Sequence, residues 1–254
     1  MKRTAQSWEC LAFLLFITLF TRHALADVTS TFDTNNDGWG TLGFANVGVG
    51  TPDFASAPVV SAVVFNASGG NPGGFISKED PDGNWQYFSA SAAFLGNQSA
   101  ELGGNLTFDE IIVNNTQPAL NPQGPLVAIT NGSLILVFGG GGPTPAISGT
   151  SWNSFNVPLT ASSWKVTNFS GAAATPAQLN SVLSSLTGLY ILSDFWTGSG
   201  GDGETLGLDN VDLRAPTTAA PEPKMTFLLL VGMGLLSART WKLRSLKRTE
   251  RRLS

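Results

Sequence analysis

Cysteine and histidine occur once each in these 254 residues, as Cys10 and His23. Both precede the point where the chain reads as cut, so the body has neither. That absence excludes disulfides, thiol nucleophiles, Cys/His zinc centres and every Ser-His or Cys-His catalytic arrangement. Cations are nearly as scarce. Between Asp27 and Ala215, 11 Asp and 4 Glu face only Lys78, Lys165 and Arg214, a net charge of −12, although the whole chain carries −4. Such a body repels nucleic acid and anionic membrane surfaces, and suits divalent cations and neutral glycans. No apolar run reaches the roughly 20 residues of a comfortable membrane span.

The two ends carry the missing positive charge. Lys2 and Arg3 precede the apolar run Leu11 to Phe20, and Ala24-Leu25-Ala26 follows. Charge, grease and small residues in that order describe a secretory signal peptide over 1–26, cut by signal peptidase after Ala26. At the other end, a linker over 216–220 leads to Pro221-Glu222-Pro223, then to 14 mostly apolar residues over 225–238. Arg239, Lys242, Arg244 and four further basic residues follow and would stay cytoplasmic, which leaves the body facing outward. This segment reads either as a short anchor in the inner membrane or as a removable address.

The body, 27–215, is rich in Gly, Asn, Thr and Ser, with short β-prone runs at close spacing, the pattern of an all-β sandwich or barrel. Asn131-Gly132, between LVAIT and SLILVF, predicts a hairpin with a type I′ turn. Further strands are expected over 28–32, 59–65, 105–113, 151–159, 189–193 and 208–213, the last with Leu208, Val211 and Leu213 inward. One helix is expected after Thr175-Pro176-Ala177-Gln178, a capping-box spacing with proline at the first helical position. Its apolar face is Leu179, Val182, Leu183 and Leu186, which predicts core packing at one end of the sandwich.

Three sets of residues offer chemistry. Asp33-Thr34-Asn35-Asn36-Asp37-Gly38 opens like a calcium loop, but Phe44 stands where a helix-loop-helix calcium hand needs its bidentate Glu, so that fold is rejected. These residues, like Asp80 and Asp82, also suit plain Asx turns. Trp39, Trp85, Trp152, Trp164 and Trp196 suit either the core or a sugar-stacking platform. Glu79, Glu101, Glu110 and Glu204 are candidates for a glycosidase pair, though no spacing singles two of them out.

From Gly69 to Phe108 the sequence resembles the laminin B domain, also called laminin IV type A. The carrying residues are a glycine-rich turn, Tyr87-Phe88-Ser89-Ala90, Phe94-Leu95-Gly96-Asn97, and Gly103-Gly104 with Leu106 and Phe108. Phe32, Gly38-Trp39, Val157-Pro158-Leu159, Trp164 and Gly207-Leu208-Asp209-Asn210-Val211 follow that family's order. The resemblance implies a two-sheet jelly-roll sandwich, similar to carbohydrate-binding modules, without catalysis. It also implies one structural calcium between the first and last strands, with Asp33 and Asp209 as ligands and Asp37 and the backbone of 69–71 as lesser additions. The C-terminal order is similar to the PEP-CTERM sorting signal of Gram-negative bacteria, over 221–254. That implies an exosortase acting near Pro221, Glu222 and Pro223, and a body delivered to the cell surface or an exopolysaccharide matrix. The reading that results is a binding or structural module; a carbohydrate-binding protein with a definite glycan ligand and a carboxylate glycosidase are the alternatives.

Overall fold

The computed structural model describes residues 27–48, 51–114, 124–139, 151–195 and 203–217. The expected signal peptide, the linker from 218 onward, the C-terminal segment and Trp196 lie outside them.

Among the described residues, thirteen strands build two antiparallel sheets. The first holds β1 (Val28–Ser30), β4 (Val64–Gly70), β5 (Gly73–Glu79), β7 (Asn105–Asn114), β10 (Asn153–Pro158) and β13 (Thr205–Arg214). Its order is β10-β7-β13-β5-β4. β13 pairs with β7 along one edge, and on its other edge with β5 through residues 205–208 and with β1 through residues 211–213. The second sheet runs β11-β9-β8-β12-β6-β2-β3. Its strands are β2 (Gly40–Phe44), β3 (Val59–Ser61), β6 (Trp85–Ser89), β8 (Val127–Thr130), β9 (Ile135–Phe138), β11 (Lys165–Val166) and β12 (Gly188–Leu192). Leu106, Phe108, Leu208 and Val211 of the first sheet join Tyr87, Phe88, Ile129 and Ile191 of the second in one buried cluster, the core of a jelly-roll sandwich.

β13 shows how the sequence sets that face. Leu206 and Leu208 point inward, and so do Val211 and Leu213, yet the spacing from 208 to 211 breaks a strand's period of two. A bulge between Asp209 and Asp212, with Asn210 at φ 49°, absorbs the extra residue and restores the phase.

The helix α1 (Pro176–Ser184) forms as its motif predicts. Thr175 Oγ1 accepts from Gln178 N–H at 3.2 Å while Gln178 Oε1 accepts from Thr175 N–H at 2.8 Å. Leu179, Val182, Leu183 and the following Leu186 are buried. Thr175→Ala removes this cap, and chemical denaturation is expected to show a loss of about 1 kcal/mol.

Two expectations need correction. The run 59–65 is not one strand: β3 pairs with β2 in the second sheet and β4 with β5 in the first. The chain crosses between sheet edges at Ala62-Val63, where Val59, Val60 and Val64 are 55, 76 and 61 % exposed, so the valines mark an edge and not a core strand. The hairpin of β8 and β9 exists, but its turn is not type I′. Thr130 pairs with Ile135, which leaves a four-residue loop, and only Gly132 has a positive φ. Asn131 acts through its side chain instead: Oδ1 accepts from Ser133 N–H at 3.1 Å and from Leu134 N–H at 2.9 Å.

Candidate functional site

The chain places Asp33 and Asp209 against one turn. Asp33 lies just beyond β1, and Asp209 sits in β13 where that strand exchanges β5 for β1 as its partner. The turn between β4 and β5 closes over them. A methyl group placed on Gly73 would lie 2.2 Å from Asp33 Oδ1, and one on Gly70 would lie 2.8 Å from Asp209 Oδ2 and 2.1 Å from the Gly74 carbonyl. On Gly74 it would meet the carbonyls of Phe32 at 2.3 Å and Asn66 at 2.9 Å. Glycine is thus required by oxygen atoms crowding the turn, two of them from carboxylates.

Asp209 is fully buried, and its carboxyl is held by backbone donors. Asn71 N–H donates to Oδ2 at 2.6 Å and Asn210 N–H to Oδ1 at 2.7 Å. Even so, its pKa is raised from 3.8 to about 6: burial is the main cause, the two backbone hydrogen bonds oppose it, and Asp109 and Asp33 add repulsion. Asp109 stands directly across the ladder from Asp209, and like charges so placed destabilise a sheet. Part of that repulsion is offset by Ser154 Oγ, 2.5 Å from Asp109 Oδ1, and by the carboxamides of Asn210 and Asn71, 2.9 and 3.2 Å from Asp109 Oδ2. The Asn210 carboxamide also donates to the Asn71 carbonyl.

This donor set fits a hard cation: carboxylate and carbonyl oxygens, no sulfur, and no basic side chain in the network. Among the described residues no three acidic side chains stand close enough to share an ion, so two carboxylates would have to be supplemented by carbonyls and water. Asp37 has a different position. Its carboxylate accepts from Phe32 N–H at 3.4 Å, and its own N–H donates to Asn35 Oδ1 at 2.6 Å, closing the loop that carries Asp33. Asp80 and Asp82 make the Asx turns their spacing allows, accepting from the N–H groups of Asp82 and Asn84 at 3.2 and 2.8 Å.

Beside this network a groove of about 580 Å³ crosses the outer face of the first sheet, over β1, β13, β7 and β10. Thr29, Asp212, Thr107 and Asn156 are register partners and form one polar row across the four strands. Arg214 pairs with Asp212 at the rim. Asn210 and Asp109 belong both to the groove and to the Asp209 network.

The aromatic and acidic candidates separate by burial. Trp39, Trp85 and Trp164 are core residues; Trp39 Nε1 donates to Ser30 Oγ at 3.1 Å and Trp164 Nε1 to the Pro158 carbonyl at 2.9 Å. Trp152 alone among the described tryptophans is part-exposed. Glu110 and Glu204 are wholly buried inside the sandwich, so neither can flank a glycosidic bond in solvent. Both Glu110 oxygens lack a hydrogen-bond partner among the described residues, and its pKa is raised well above the usual range by burial first and by Glu204 second.

Comparisons with known proteins agree with this architecture. The family model Laminin B (Domain IV) matches residues 87–225. Among solved structures, the L4b domain of human laminin alpha-2 aligns over 76 % of this chain and 98 % of its own, at 12 % identity and a TM-score of 0.53. The family 11 carbohydrate-binding module of a cellulosomal cellulase of Clostridium thermocellum aligns over 76 % of this chain and 96 % of its own, at 14 % identity and a TM-score of 0.42. No curated protein matches the sequence at a significant level.

Proposed function

Because the chain belongs to the laminin B (domain IV) family, we propose that it is an exported, non-enzymatic binding or structural module of a bacterial surface or matrix. The observation that carries this reading is the family match, which extends over β7, β10 and β13, three of the four strands under the groove, and over Asp109, Asp209 and Asn210 of the network. Signal peptidase releases the N-terminus after Ala26. The segment 225–238 holds the chain in the inner membrane of a Gram-negative cell until an exosortase acts at Pro221-Glu222-Pro223. The body then joins the cell surface or exopolysaccharide.

Calcium in this reading is structural and is held by Asp33 and Asp209, with Asp37 bracing the loop and carbonyl oxygens around Gly70 to Gly74 completing the shell. When bound, it would supply positive charge where Asp33 and Asp109 repel Asp209. The chain's own contribution is to fix those oxygens in place: the Asn71 and Asn210 N–H groups orient the Asp209 carboxylate, and the absence of side chains at 70, 73 and 74 keeps the space open.

An epitope tag placed after Ala26 tests the sorting. In the native host the tagged chain is expected in the matrix fraction, shortened at the C-terminus. Replacing Pro221, Glu222 and Pro223 with alanine is expected to hold a longer form at the membrane. Equal release of that variant, or a wild-type chain that keeps its full C-terminus in the matrix, would overturn the proposal.

A further inference from the structure

We propose that the groove over β1, β13, β7 and β10 binds a neutral, polyhydroxylated chain, that is, an uncharged polysaccharide, with Trp152 as the stacking surface at one end. This goes beyond the surface-module reading and stands or falls separately from it.

The register places hydroxyl, carboxylate, hydroxyl and carboxamide side by side in the row Thr29, Asp212, Thr107 and Asn156. Neighbouring strands lie roughly 4.8 Å apart, so hydrogen-bonding groups recur across the groove at intervals comparable to one sugar ring. Planar carboxylates and carboxamides mixed with hydroxyls can accept from and donate to adjacent sugar hydroxyls, whereas a floor of this kind offers little to an apolar ligand. Several of the groups are already fixed. Asp109 is held by Ser154 and by two carboxamides, Asp212 Oδ2 by Arg214 Nε at 2.5 Å, and Thr31 by its hydrogen bond to Asp33 at 2.8 Å. Such preorganisation lowers the entropy lost on binding. Asp212 Oδ1 is left without a partner beneath the groove floor, an acceptor that the fold itself does not satisfy.

Trp152 stands two residues before Ser154 on β10, outside the range of the core-facing Phe155 and Val157, and so shares the outward side with Ser154 and Asn156. Its indole is locked rather than free: Nε1 donates to the Gly69 carbonyl at 3.0 Å, and the ring meets Phe75 edge-on at 5.4 Å. The part-exposed ring suits the apolar face of a sugar. Charge decides between glycan classes. Asp109 and Asp212 line the groove, Arg214, the one cation there among the described residues, is paired to Asp212, and the body carries −12, so a uronic-acid polymer is repelled.

The full chain, run in native gels cast with mixed-linkage β-glucan, xyloglucan, galactomannan or alginate, tests this. Retardation is expected in at least one of the three neutral polymers and not in alginate. Trp152→Ala and Asn156→Ala are each expected to weaken it by about tenfold or more. Asn156 is exposed, so its loss leaves the melting temperature unchanged, and Trp152→Phe is expected to restore part of the binding. No retardation in any neutral polymer, retardation in alginate alone, or full binding by both alanine variants overturns the assignment.

Discussion

Calcium added to the purified chain at about a hundred times its dissociation constant is expected to raise the melting temperature by roughly 5–10 °C at neutral pH. Binding to the folded state alone at that excess is worth about 2.7 kcal/mol. For a domain of this size each kcal/mol moves the midpoint by about 2–4 °C. The dependence on pH fixes the sign. Asp209 has a folded-state pKa of about 6 against an ordinary 3.8, so without metal its contribution is full below about 4 and is lost as pH rises through 6. A cation favours the ionised carboxylate, so the calcium increment should be small near pH 4.5 and grow to its full size above pH 6.5. Asp209→Asn and Asp33→Asn are each expected to remove most of the increment. If Asp209→Asn keeps the whole of it, or if metal analysis of the wild type finds no bound calcium, the cradle is not a calcium site.

Glu110→Gln is expected to stabilise the protein at neutral pH by about 1–3 kcal/mol, because folding no longer has to hold a proton on this carboxyl against neutral solvent, at about 1.4 kcal/mol for each pH unit by which its pKa is raised. Glu110 lies wholly inside the sandwich with neither oxygen paired, and an ionised carboxylate there is penalised by burial and by Glu204. Its raised pKa means that the folded state favours the protonated form. The associated stability is full below the ordinary glutamate range and falls as pH rises through the folded-state value. Glutamine reproduces the protonated form without that dependence. Glu101 and Asp209 shift in the same direction, so the wild type should lose stability from about pH 4.5 upward, and the variant should lose less. Urea unfolding at about pH 4.5 and 7.5 measures both slopes. A variant weaker than wild type at pH 7.5 would mean that Glu110 is ionised and matched by a bound cation, and would sink the argument.

How much of this was legible in the sequence depends on how local each feature is. The helix was readable because its cap and its leucine face lie within a dozen residues. The hairpin was placed correctly, but its turn chemistry was not, because Asn131 spends its side chain where the reading assigned it a backbone role. The split of 59–65 was invisible: valines of a strand and valines crossing between two sheet edges look alike until the partners are known. Asp33 and Asp209 were named through family resemblance, with the backbone of 69–71 beside them, and the structure sets both carboxylates against that turn. Asp109 and Asn210 were not read as part of this site, since only the register of β7 against β13 and the turn at Asn71 bring them together. Glu110 did carry a signal. Leu106, Phe108 and Ile112 set an inward phase of two along β7, and the residue between Phe108 and Ile112 in that phase is Glu110.

The double pairing of β13 also sets an order of events. Among the described residues β1 pairs with nothing but β13, the last strand, and β7 and β5 meet only through that strand as well. The first sheet therefore lacks its middle until residues 205–214 have been synthesised, and such distant pairings close slowly. A chain built this way keeps its first sheet open until its far end arrives.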